Sequence, residues 1–172
     1  MFRNCSSLVS LNISSFNTSK VKQMSNMFHG CSSLVTLDLS NFDASNVTAM
    51  KFMFNGCTNL TGLDLSSFDT SKITNMVAMF DGCVSLTDLD LSNFDTSKVT
   101  KTGSPYGMFY GCSNLKTIYV SDLWNMSSVT ASSNMFMNCK SLTGAVPFDS
   151  TKTDVSMANY TTGYLTYKKN TN

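Results

Sequence analysis

The chain has 172 residues, about one domain by length and long enough to bury its own core. Charged residues are 13% of it and the net charge is +1, which excludes the basic face that a nucleic-acid binder needs. No stretch approaches the roughly 18 apolar residues of a membrane-spanning helix, and no signal-peptide pattern opens the chain.

All eleven acids are Asp, and Ser, Thr and Asn number 27, 20 and 17. These residues compete with helical hydrogen bonds, so long helices are not expected. The six cysteines (Cys5, Cys31, Cys57, Cys83, Cys112, Cys139) follow one another at 26, 26, 26, 29 and 27 residues. The pairs Met1-Phe2, Met27-Phe28, Met53-Phe54, Met79-Phe80, Met108-Phe109 and Met135-Phe136 keep the same spacing. A fixed period of this size marks a repeat architecture.

The chain opens in mid-unit, because Met1 falls on the repeat's own Met. An unpaired edge, or something covering it, is therefore expected at the N-terminal unit. Within a unit, Asp43, Asp69 and Asp95 suit a helix N-cap. Val47, Met50, Met53, Phe54, Cys57 and Leu60 then form a stripe with a period nearer 3.0 than 3.6, which predicts a short helix or 3₁₀ segment. Gly30, Gly56, Gly82 and Gly111, with Asn4 and Asn138 in the outer units, suit a left-handed stop. Leu37-Asp38-Leu39 and its copies Leu63-Asp64-Leu65 and Leu89-Asp90-Leu91 alternate as a half-buried strand. The expected units are residues 1–15, 16–41, 42–67, 68–93, 94–122 and 123–144, with 145–172 as a C-terminal cap in which 164–167 form a last strand. The expected fold is an α/β repeat. It is a leucine-rich-repeat-like solenoid of about six coils, each with one short parallel strand and one short helix or 3₁₀ segment.

The unit M-F-x-G-C-S-S-L-x-x-L-D-L-S-N-F-D-T-S-K-V-T-x-M resembles the BspA-like leucine-rich repeat of bacterial surface proteins. The resemblance spans about residues 1–144, and the segment through Gly163-Tyr164-Leu165-Thr166-Tyr167 is similar to the tail that follows the last repeat in that family. It implies a secreted or cell-surface location and a non-enzymatic adhesive role toward an extracellular protein or glycan. It supplies no functional residues to carry over.

Unit five departs from the pattern. Residues 101–107 insert three residues and contain Gly103, Pro105 and Gly107, which predict a loop. Tyr119 stands where other units carry Asp, Trp124 follows at a position that is polar elsewhere, and Tyr106 and Tyr110 flank the insertion. These four are candidate ligand anchors, since interfaces favour Tyr and Trp; the alternative is that Trp124 packs under the insertion. Asp38, Asp64 and Asp90 are a second candidate set, an outward-facing acidic row open to a cation or a basic partner, or merely a solvated stripe.

The cysteines hold a single repeat position and should form a buried thiol ladder, with no disulfide and no metal site expected. His29, the one His, shares its unit position with Arg3, Asn55, Asp81, Tyr110 and Met137, which predicts a solvent-facing side chain. No catalytic residue and no cofactor is therefore expected. Two other roles fit the same residues: a stiff spacer within a larger surface protein, and self-association through the N-terminal unit.

Overall fold

The computed structural model describes residues 1–103 and 105–170. Ser104, inside the unit-five insertion, therefore lies outside the described residues. Among the described residues there are seven short strands: β1 (Thr36–Leu37), β2 (Gly62–Leu63), β3 (Asp88–Asp90), β4 (Lys101–Gly103), β5 (Thr117–Val120), β6 (Ala131–Ser132) and β7 (Thr166–Tyr167). Every strand pair is parallel. β1 pairs with β2, β3 with β5, β5 with β7, and β4 with β6. The register joins the same repeat position in successive units, Leu37 to Leu63 and Leu89 to Ile118. A second parallel ladder runs Gln23, Ala49, Asn75, Lys101 along the other side of the unit.

The stripe expected to be helical is not helical. Among the described residues the one helical element is a 3₁₀ turn, Val155–Met157, outside the repeats. In the stripe, alternate amides leave the unit: Asn26 N bonds Lys51 O at 3.0 Å, Phe28 N bonds Met53 O at 2.9 Å, and Gly30 N bonds Asn55 O at 2.7 Å. The amides between them close turns three residues back, Met27 on Met24, His29 on Asn26 and Cys31 on Phe28. An α-helix would need each amide to reach four back. The sequence period near 3.0 is thus the spacing of consecutive turns. The first and last of the three turns carry a left-handed residue at the third position. Asn26 (φ 59°) and Gly30 (φ 73°) supply it in one unit, and Phe52 (φ 57°) and Gly56 (φ 72°) in the next.

The predicted caps survive without the helix. Asp43, Asp69 and Asp95 each accept the backbone N–H two residues on, from Ser45, Ser71 and Ser97, at 2.9 Å. Thr18, Thr70 and Thr96 are buried, and their hydroxyls bond the carbonyls of Asp43, Asp95 and Asn125 in the next unit at 3.0–3.1 Å.

The core lies between the two ladders. Phe2, Phe28, Phe54, Phe80, Phe109 and Phe136 form one column, with successive ring centroids 5.6–5.8 Å apart and planes within 12°. Tyr164 ends the column edge-on, 5.4 Å from Phe136 at 88°. Its hydroxyl lies 3.0 and 2.9 Å from the carbonyls of Asp149 and Lys152.

The insertion begins as β4 rather than as a loop, and closes through an antiparallel bridge between Gly103 and Gly107. Gly107 is required there, because a Cβ would collide with the backbone of Asn134 and Met135.

Candidate functional site

Strand alternation turns the Leu side chains of the strand segment inward and leaves Asp38, Asp64 and Asp90 exposed in a row. Each carboxylate accepts the backbone N–H two residues on, Ser40 at 2.9 Å, Ser66 at 2.9 Å and Ser92 at 3.0 Å. Asn12 makes the same bond to Ser14 at 3.1 Å, so the row continues into the first unit without charge. The Ser40 amide and hydroxyl hold the Asp38 carboxyl below the usual range.

Asp90 has a partner. The C-terminal segment crosses the face after β7, and the Lys168 ammonium bonds the Asp90 carboxylate. Partial burial opposes ionisation of Asp90, but the bonds from Lys168 and Ser92 outweigh it and the carboxyl titrates below the usual range. The same ammonium sits 5.6 Å from the centroid of the Tyr119 ring, in cation–π range. Tyr119 is half-buried and lies directly beside Asp90 in the strand register. Asp64, Asp90, Ser92, Lys168 and Lys169 line a cavity of about 220 Å³ at this point. A wider open groove lies between Asp38 and Asp64.

The structure separates the four aromatic candidates. Tyr119 joins the acidic row. Trp124 is 7% exposed and is not a surface anchor: its Nε1–H donates to Ala158 O at 3.0 Å, beneath the C-terminal segment. Its amide bonds the carbonyl three residues back, Ser121 O at 3.0 Å, as Phe42, Phe68 and Phe94 do in their units, so Trp124 takes the buried Phe position of the repeat and Asn125 takes the polar one. Tyr106 and Tyr110 pack edge to face at 6.1 Å, and Tyr106 lines a different cleft.

Five of the thiols, Cys31, Cys57, Cys83, Cys112 and Cys139, are buried, and each donates to the carbonyl of a Phe in the preceding unit at 2.9–3.2 Å. Burial pushes Cys57 and Cys139 up to about 12, and Cys83 and Cys112 well above a normal thiol. Cys5 departs from the expected ladder: it is exposed. His29 is not solvent-facing either. It is half-buried against Phe52, whose ring is 6.3 Å away, and burial lowers its pKa. From His29 to Met137 this position is partly covered, whereas Arg3 at its start is exposed.

Among the described residues no group of three or more His, Cys or Asp could hold a metal ion, and no helix is long and apolar enough to cross a membrane. The residue that sequence reasoning missed is Lys168; a basic pair just beyond a final strand was its only signal. No match was found among curated proteins or among solved structures. One family matches in two overlapping stretches, residues 1–117 and 56–172, which together span the chain. The chain belongs to that family, described as "Mycoplasma protein of unknown function, DUF285".

Proposed function

We propose that this chain is a non-enzymatic binding or adhesion module of the BspA-like leucine-rich-repeat type, displayed outside the cell. Its repeats would form a solenoid that presents the strand face to an extracellular protein or glycan. The observation that carries this reading is the row Asp38, Asp64, Asp90 with Tyr119 at its end, since Lys168 already occupies Asp90 and Tyr119 as a cationic ligand would. Such a face offers acceptors at regular intervals of one strand spacing, about 4.8 Å. It also offers Tyr119 as an aromatic anchor once a ligand displaces the Lys168 ammonium.

The test is capture of the chain on immobilised glycans and extracellular proteins, repeated with Asp38→Asn, Asp64→Asn and Tyr119→Ala combined. Any ligand captured by the wild type should bind the triple variant at least about tenfold more weakly, with the melting temperature nearly unchanged. Undiminished capture would remove the strand face from the reading.

A spacer role is the second reading, and the unbroken Phe column favours it. Stacked rings in every unit resist bending along the repeat axis. A spacer would show no capture at all.

A further inference from the structure

In the turn segment of the unit, the residue two before each Cys forms a row of its own. Its rungs are Arg3, His29, Asn55, Asp81, Tyr110 and Met137. Backbone bonds from Gly30 to Asn55 O and from Gly56 to Asp81 O, both 2.7 Å, hold successive rungs in register. The flanking glycines and cysteines repeat, whereas every rung here differs. Across His29, Asn55 and Asp81 the surface sinks into an open cleft of about 420 Å³, walled by the rings of Phe52 and Tyr106. Tyr106 comes from the unit-five insertion, so the irregular segment builds one side of a cleft whose floor belongs to earlier units.

The floor holds acceptors and little to satisfy them. The half-buried Asp81 carboxylate accepts from Asn55 Nδ2 at 2.7 Å, a neutral donor. The ion pairs among the described residues are Lys152–Asp149 and Lys168–Asp90, so none neutralises Asp81. An Asn that donates its amide N–H keeps its carbonyl oxygen as an acceptor. His29 Nδ1 is buried with no hydrogen-bond partner among the described residues. A desolvated carboxylate without a counter-charge is costly, and an arriving cation repays that cost.

We propose that this cleft binds a primary ammonium group, with Asp81 as counter-ion, Asn55 as a second acceptor, and Phe52 and Tyr106 as aromatic walls. An ammonium carries three N–H donors, which suits a site made of acceptors. Aromatic faces around a cation add to its binding once water is displaced. Burial lifts the Asp81 carboxyl to about 6, so it is ionised at neutral pH yet keeps the strain of an uncompensated charge. Burial and then Arg3 lower the pKa of His29, so its ring is neutral at that pH and does not repel the ligand. This site is independent of the strand face and stands if that face binds nothing.

Binding is read from amide shifts at Gly56 and Gly82 in nitrogen-resolved NMR of the full chain, titrated with n-butylammonium chloride. The parallel arms are Nα-acetyl-lysine N-methylamide, tetramethylammonium chloride, and sodium chloride at equal ionic strength. Saturable shifts with n-butylammonium or the blocked lysine, at least about fivefold stronger than with tetramethylammonium, are the expected result. Tighter binding of the blocked lysine identifies a peptide side chain as the source; tighter binding of n-butylammonium identifies a free amine. Asp81→Asn should weaken binding about tenfold or more, and Tyr106→Ala severalfold, with the remaining amide signals in place. Shifts no larger than with sodium chloride, equal binding of tetramethylammonium, or wild-type affinity in Asp81→Asn would each overturn the proposal.

Discussion

The thiols show how one repeat position acquires its chemistry from its neighbours. Each buried Sγ–H points at a Phe carbonyl of the unit before it, so the ladder is a column of weak hydrogen bonds inside apolar surroundings. Burial keeps the protons on: at pH 8 a group held near 12, as Cys57 and Cys139 are, is thiolate only about one part in ten thousand. An aromatic disulfide reagent at pH 8 should therefore modify one thiol fast in the folded chain, Cys5, and six in denaturant. Raising the pH to 9.5 should not recruit the buried five while the fold persists. Two or more further thiols reacting at the rate of Cys5 would show that the ladder is open.

The element of this molecule is a turn segment locked to the next unit, not a helix. Asp caps, left-handed Gly or Asn and a stripe of Met, Phe and Cys were all legible in the sequence. They build a different element from the predicted helix because a stripe of period 3.0 fits a 3₁₀ helix and a series of turns equally well. The choice rests on where the amides go, and Phe28 N finds Met53 O in another unit. The Phe column follows from the same stacking. Phe54 is sandwiched by Phe28 at 5.8 Å and Phe80 at 5.7 Å and is fully buried. Phe54→Ala should cost about 3–5 kcal/mol in urea unfolding, by lost transfer energy plus the cavity left behind. Phe2, half-buried with its ring stacked on Phe28, should cost about 1–2 kcal/mol when changed to Ala. Equal losses at the two positions would contradict a continuous column.

At the scale of the whole molecule, the residues after 144 do four things at once. Tyr164 ends the Phe column, Ala158 O receives the Trp124 indole, and Lys168 meets Asp90. Thr153 O also takes the Phe136 amide that the last repeat would otherwise leave unbonded, at 2.9 Å. A chain ending at residue 144 should lose several kcal/mol. By calorimetry its melting temperature should then fall by about 10 °C or more. A truncated chain that melts within about 2 °C of the full one would show that these residues do not close the repeat stack.

The sequence by itself determined the period, the inward Leu positions, the burial of five of the six Cys and the acidic row, because each depends only on spacing and side-chain type. Tertiary structure decided the rest. Trp124 and Tyr119 looked alike in the sequence, yet one is covered and the other borders the acidic face, since the covering chain arrives from some 34 residues further on. His29 looked exposed because its position tolerates any residue; its burial comes from Phe52, in the next unit. Lys168 and Asp90, 78 residues apart, meet only because parallel stacking lays the final strand beside β5. Periodicity repeats along the chain and can be read there, whereas contacts between different units depend on how the units close against one another.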